Sequence, residues 1–127
     1  MTTSNEGKLV PVVLLPRFTT LLGDGGSNFE TLPLDLAPYE EARITLWRSA
    51  MQGTGTPALI FYLEESTDRN TWTACEGTSG GVQINANEEF VQDFSFRRKW
   101  FRLRAHLQGT HPAVTCFAQG LLVRRQR

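Results

Sequence analysis

Apolar and polar residues alternate along much of the chain, with the period of two that turns successive side chains of a β-strand to opposite faces. Segment 99–107 has the most regular pattern, and segment 41–50 repeats it. In 99–107 we expect the inward-facing positions to be Phe101, Leu103, Ala105 and Leu107. The outward-facing positions are then Trp100, Arg102, Arg104 and His106. No stretch of useful length has the three-and-four spacing of an amphipathic helix.

Segment 57–75 predicts the central hairpin of the sheet. Both alternating sets of its first run are largely apolar, namely Leu59, Phe61 and Leu63 on one face and Ala58, Ile60 and Tyr62 on the other. An edge strand would carry more charge, so we expect this strand to lie within the sheet. Residues 65–70 form a polar reversal whose side chains can bond to their own backbone, and Trp72 resumes the extended pattern.

The other apolar runs predict further short strands at 8–15, 17–22, 30–36, 82–86, 90–96 and 113–123. Phe29 has the opposite parity to Leu32, Leu34 and Leu36, so strand 30–36 should begin after it. We expect loops at 23–28 and 51–56 and a reversal at 108–112. Nine or ten short strands without a helix predict an all-β fold, an antiparallel β-sandwich or jelly roll, with a closed barrel as the second candidate.

The length of 127 residues indicates one folded domain. Residues 1–7 are polar and are expected to form a flexible arm. Residues 9–15 are apolar but are interrupted by Pro11 and followed by Pro16, which fits an edge strand or an arm that packs on another molecule. We therefore predict an extended N-terminal arm over residues 1–16 and a β-sandwich domain over residues 17–127.

Charge is unevenly distributed although the formal net charge is zero. No acidic residue follows Asp93, and the last 34 positions carry eight basic residues: Arg97, Arg98, Lys99, Arg102, Arg104, Arg124, Arg125 and Arg127. Guanidinium groups beside Trp100 could hold phosphates or stack on bases. Overall neutrality instead favours pairing with the acidic upstream half of the chain, or with an acidic protein partner, over nucleic acid.

No motif of catalysis or metal binding stands out. Cys75 and Cys116 lack the spacing of a zinc site and are expected to be buried free thiols. His106 and His111 have no third ligand at a recognisable spacing, and no carboxylate lies near them in sequence to orient a base. The glycines of 23–26 match no phosphate-binding motif.

The paired carboxylates also fail to form a catalytic constellation. Glu64 and Glu65 are adjacent in a strand and so face opposite sides, which separates them as a cooperating pair. The pairs Glu40–Glu41 and Glu88–Glu89 fall at turns and are expected to be solvated surface. We therefore expect a protein that is not an enzyme and that uses no cofactor and no metal.

The first residues lack the apolar core of a secretory signal, and no run reaches the about 20 apolar residues of a membrane span. We expect synthesis in a reducing intracellular compartment and no membrane partner.

Several of these segments together resemble small β-sandwich proteins of tailed-bacteriophage particles. The resemblance covers residues 30–123 and rests on Leu32–Leu36, Ala42–Leu46, the hairpin Leu59–Trp72, Trp100–Ala105 and the strand Val114–Val123. Its Ser-x-Asp-x-x-x-Trp hairpin (residues 66–72) is also similar to hairpins of discoidin-like and carbohydrate-binding sandwiches. The resemblance transfers no catalytic residue.

The resemblance implies a virion protein made in the host cytoplasm, such as a head decoration (cement) protein or a head–tail component. The expected partner is the major capsid protein or another virion protein, and the expected state is a homo-oligomer, for example a trimer. We assign partner binding to the arm (Leu9, Val10, Val12, Val13) and to the basic strand face (Arg97, Arg98, Arg102, Arg104). The alternative is a glycan-binding or adhesion module in which Trp47, Tyr62 and Trp72 form a stacking platform.

Overall fold

The computed structural model describes residues 9–125, and its regular elements there are all strands. In chain order they are β1 (Leu9–Leu22), β2 (Ser27–Glu30), β3 (Leu34–Asp35), β4 (Tyr39–Arg48), β5 (Gln52–Ser66), β6 (Thr73–Ala74), β7 (Glu89–Ser95) and β8 (Trp100–Arg124). All of them belong to one antiparallel sheet, which confirms the predicted all-β class.

The sheet is organised around β8, which is 25 residues long. Along one flank β8 pairs with β1, β2 and β3 in turn, and along the other it pairs with β4 and then β5. Backbone hydrogen bonds show that these are opposite flanks of β8. The carbonyl of Thr115 points to the β4 side, where it accepts from Ser49, whereas the carbonyl of Pro112 points to the β1 side, where it accepts from Gly23. Strand β7 pairs outside β4, and β6 pairs outside β5.

The sheet curls over so that its two ends share one core. The Phe94 ring on β7 lies 5.8 Å from the Phe101 ring at the start of β8, and the Phe96 ring lies 5.7 Å from it. We call β1, β4, β7 and residues 113–124 of β8 the β4 layer, and β2, β3, β5, β6 and residues 100–108 of β8 the β5 layer. Within the described residues β6 and β7 do not pair with each other, so the fold is a sandwich rather than a closed barrel.

The predicted reversal at 108–112 is wrong, because β8 continues through it. Gly109 (φ 116°) and His111 (φ 49°) bend the strand, and the buried positions change from odd numbers up to Leu107 to even numbers from Pro112. Pairing persists on both flanks, from Thr54 to Thr110 and from Leu22 to Ala113. Glycine and proline there produce a bulge, since long-range pairing on both sides keeps the strand extended.

Three further expectations need correction. Phe29 lies inside β2, and the predicted strand 30–36 is reduced to β3, with Leu32 left 89% exposed. Strand β5 begins at Gln52, inside the predicted loop 51–56. The predicted strand 82–86 is a single bridge between Val82 and Phe61. In each case pairing with a distant strand, rather than local pattern, decides the boundary.

The predicted central hairpin is confirmed, with β5 lying between β8 and β6. Its reversal is held by side chains that bond to their own backbone. The Asp68 carboxylate accepts from the amides of Thr71 (2.9 Å) and Asn70 (2.8 Å) and from the hydroxyl of Ser66, and these bonds lower its pKa.

Strand β1 runs across the predicted boundary between residues 16 and 17, with a bulge between Leu15 and Thr19. Val10 pairs with Leu122 and Val12 with Gly120, so residues 9–15 belong to the sheet of their own chain. The predicted flexible segment 1–7 lies outside the described residues.

The bend in β8 can be tested at Gly109. A Cβ at this position would lie 2.9 Å from the Cα of Pro57, in a backbone conformation that strains any L side chain. We expect Gly109→Ala to lower the free energy of unfolding in urea by about 2 to 4 kcal/mol. Gly25→Ala is the matched control, because Gly25 has φ 71° but a Cβ added there would meet no atom within 4 Å, leaving backbone strain alone. Equal losses for the two variants would contradict the close packing at the bend.

Candidate interaction surfaces

The basic strand face is paired within its own chain. On β5 and β8, Glu64 lies between two arginines, accepting from Arg102 Nε at 2.8 Å and from Arg104 Nη2 at 3.0 Å. Arg102 also reaches Glu30 at 3.3 Å. The arrangement follows from register, because Glu64 pairs directly with Arg102 and the two arginines share one face. The sequence favoured pairing within the chain over nucleic-acid binding, and the structure shows such pairing for Arg102 and Arg104.

The same arginines cover two of the aromatic rings assigned to a glycan platform. The guanidinium of Arg102 lies 4.4 Å from the Trp72 ring centroid, and that of Arg104 lies 4.0 Å from the Tyr62 centroid. Both rings therefore serve as cation–π partners. Trp47 lies elsewhere, paired with Phe117 in the β4 layer. The idea that Trp47, Tyr62 and Trp72 form one platform is wrong, because the register sends them to different layers.

Glu65 faces the opposite side and is 1% exposed. It accepts from the amides of Arg97 (2.9 Å) and Arg98 (3.3 Å) and from Arg98 Nη1 (3.0 Å), so it ties the segment before β8 to the end of β5. Arg97 pairs with Glu76 at the surface. Sequence alternation correctly separated Glu64 from Glu65, but their burial depends on arginines more than 30 residues away.

The residues assigned to the arm divide between the core and the surface. Val10 and Val12 point inward and pack against the core. Leu9 and Val13 point outward, and Val13 is 64% exposed. Their neighbours across the sheet are Val123 for Leu9, Leu121 for Pro11 and Gln119 for Val13.

These outward residues form a continuous surface that we call the apolar face: Leu9, Pro11, Val13, Leu121 and Val123. Two shallow grooves of about 290 and 240 Å³ cross it, and Leu121 lines both. An exposed ion pair borders the face, with Arg43 Nε 2.7 Å from Asp93, and the hydrogen bond from Arg43 lowers the pKa of Asp93. A row of aliphatic side chains on an outer sheet face, bordered by charge, is typical of a contact surface.

The edge of β1 is unsuited to adding another strand. The peptide groups of Val10 and Val12 face β8, so the alternating peptide group of Pro11 faces the free edge and offers no N–H there. Pro16 interrupts the same edge. Side chains of the apolar face are therefore better suited than the β1 backbone to contact a partner at this side of the molecule.

The two thiols are buried and free, as expected. Burial raises the pKa of Cys116 to about 11, and burial with the nearby Glu65 carboxylate raises the pKa of Cys75 still further. Both thiols therefore stay protonated at neutral pH.

The histidines and carboxylates form no metal cluster within residues 9–125. His106 Nδ1 lies 2.9 Å from Asn28 Oδ1 on the paired basic face. His111 is exposed at the bend, and its Nδ1 lies 3.9 Å from the exposed Asp24. None of the described residues forms a helix able to cross a membrane.

No family model and no curated protein matches this sequence. Among solved structures, the PBSX exported protein XepA aligns with 99% of this chain at a TM-score of 0.66 and 15% identity. Infectious bursal disease virus, Gx strain, aligns with 91% of it at 0.56 and 6% identity. The chain spans 40% of the XepA chain and 32% of the viral chain.

A subunit of Bacillus endospore appendages, described as disulfide-linked pili, aligns with 99% of this chain at a TM-score of 0.52 and 12% identity. In that case the two chains match over nearly their whole length, since 97% of the pilus chain is covered. The TM-scores show a shared fold, and at these identities the likeness shows the fold alone. The structural neighbours thus include a PBSX exported protein and a virus.

Removing the Glu64 carboxylate tests the paired basic face. Glu64→Ala leaves the largely buried Arg104 guanidinium without its counter-ion and Arg102 with only Glu30, and we expect it to lower the free energy of unfolding by about 3 to 5 kcal/mol. Asp93→Ala breaks an exposed arginine pair and is the control, for which the urea midpoint should scarcely move. A small effect at Glu64, comparable to that at Asp93, would show that the network adds nothing to stability.

Thiol chemistry tests the burial of the cysteines. Because both thiols are shielded and protonated, Ellman's reagent should label neither at pH 8 in the native protein and both after unfolding in urea. Labelling of native Cys75 or Cys116 within minutes would contradict their placement in the core.

Proposed function

We propose that this chain is a non-enzymatic structural protein of a tailed-phage particle, most specifically a head decoration protein that binds the lattice of the major capsid protein. The observation that carries the proposal is the apolar face. It presents Leu9, Val13 and Leu121 to solvent on a regular sheet, where none of them is needed for the core.

The form of this surface suits a lattice partner. Its side chains project from paired strands, so they are held in place before binding and little conformational entropy is lost on contact. A protein bound at many equivalent places, as an oligomer across capsid joints, gains from several contacts at once. A homo-oligomer such as a trimer is part of the proposal for this reason.

The basic residues take a smaller part in the proposed contact than the apolar ones. Arg102 and Arg104 are committed to Glu64, and Arg98 is bonded to the buried Glu65. Arg97 is also paired, with Glu76, but its side chain is 63% accessible and is the most exposed of the four. We therefore propose that Arg97 supplies a peripheral charge contact, while the apolar face supplies the main one.

The fold neighbours support an assembling role in general terms, since they include a virus particle and a pilus. A disulfide link of the kind named for the pilus has no counterpart at Cys75 or Cys116, because both lie in the core. The proposed assembly is therefore noncovalent at these positions. A head–tail or tail component would use the same surface on a different partner.

The decisive variant is Val13→Asp, which places a charge on the apolar face without disturbing the core. Binding should be measured by co-sedimentation with heads of the encoding phage that lack this protein. We expect at least a tenfold loss of affinity, because a carboxylate would be buried without a partner. Leu22→Asp is the matched control, an exposed leucine on the same strand but outside the apolar face.

Unchanged melting temperatures must accompany both variants, so that a loss of binding reports the surface and not the fold. If Val13→Asp binds heads as the unsubstituted chain does, the apolar face is not the contact. If the unsubstituted chain binds isolated tails and not heads, the decoration role is replaced by the tail alternative.

A further inference from the structure

A second feature of the β4 layer lies beside the apolar face. It is built on the cross-strand pair Trp47–Phe117, the next outward-facing pair after Thr45–Gln119. Here six residues line an open cleft of about 370 Å³: Arg17, Phe18, Trp47, Asn87, Glu89 and Phe117. The floor is a cross-strand row, because Trp47 pairs with Phe117 on one side and with Glu89 on the other. Nothing in the proposed capsid contact uses these side chains.

Phe18 projects at the rim of this cleft in a strained conformation. It has φ 64°, a region that bulky residues rarely occupy, and its side chain is 77% exposed. Strand β1 bulges there, with a register shift between Leu15 and Thr19, and the Thr19 hydroxyl donates to the Pro16 carbonyl at 2.6 Å. A strained backbone that holds an aromatic ring in solvent is a feature found at binding sites.

The two rings of the floor are arranged to leave one of them available. Trp47 and Phe117 are stacked with centroids 5.7 Å apart and planes 14° from parallel. The guanidinium of Arg17 lies 4.3 Å from the Phe117 centroid and covers that ring. Trp47 is only half-buried. It therefore offers apolar ring surface beside the exposed ring of Phe18.

The polar groups around the rings are balanced in charge. Arg17 and Glu89 contribute one charge of each sign, and neither forms an ion pair within residues 9–125. Asn87 also has a positive φ (63°), and its side-chain amide supplies N–H donors and a carbonyl acceptor for hydrogen bonds. Because the two charges cancel, the site has no net attraction for an anion or a cation, and it suits a ligand without net charge.

We propose that this cleft binds a neutral saccharide. The C–H face of a sugar ring packs on Trp47 and Phe18, and its hydroxyl groups bond to Glu89, Asn87 and Arg17. A hydroxylated ring with one apolar face requires this combination of aromatic surface, donors and acceptors. The inference does not depend on the capsid contact, because the two surfaces use different side chains.

The test is calorimetric titration of the whole chain with maltohexaose, cellohexaose and chitohexaose. A second titration with the same sugars is monitored by tryptophan fluorescence. At least one oligosaccharide should bind with a Kd of about 1 mM or tighter. Phe18→Ala, which removes an exposed side chain, should weaken that binding at least tenfold. Trp47→Ala should abolish it, and Trp72→Ala is the matched control because that ring is covered by Arg102.

Three outcomes would overturn the proposal: none of the three sugars binds, Phe18→Ala binds as well as the unsubstituted chain, or a polyproline peptide binds the cleft and the sugars do not. Val13→Asp should bind the sugar normally, and Phe18→Ala should bind phage heads normally. Failure of the capsid proposal and failure of the saccharide proposal are therefore separate results.

Discussion

The structure depends on the continuity of β8 through its bend, with backbone pairing on both sides of the bend. One strand of 25 residues supplies a partner for β1, β2 and β3 on one flank and for β4 and β5 on the other. Because the strand bends at Gly109 without ending, both layers of the sandwich share it. The two layers, and with them the two outer faces, are therefore held in a fixed relative position by one continuous hydrogen-bonded strand and not by a loop between them.

The two outer faces then differ in how their exposed side chains are satisfied. On the β5 layer, Glu64 neutralises two arginines that also cover Tyr62 and Trp72, so charge and aromatic surface are both engaged within the chain. On the β4 layer, the aliphatic row around Val13 and the ring of Trp47 have no such cover among the described residues, although Arg43 pairs with Asp93 and Arg17 covers Phe117. This asymmetry is why both proposals fall on the β4 layer.

Alternation of side chains sufficed to predict the all-β class, the inward set Phe101, Leu103, Ala105 and Leu107, and the central hairpin, because these follow from local period and turn chemistry. The continuation of β8 through 108–112 could not be predicted, since glycine and proline signal a turn equally well when distant strands hold the chain extended. Only the register reveals that Glu64 meets Arg102. The positive φ of Phe18 has no local signal at all.

The central claim, that the apolar face is covered in the particle, can be tested directly by labelling a cysteine placed on it. The native thiols are buried, so a Val13→Cys side chain would be the reactive one at neutral pH. Its labelling by Ellman's reagent should be rapid in the free protein and slowed at least tenfold on phage heads, while a Leu22→Cys thiol should react equally in both. Equal labelling of Val13→Cys in the free and head-bound protein would contradict the account.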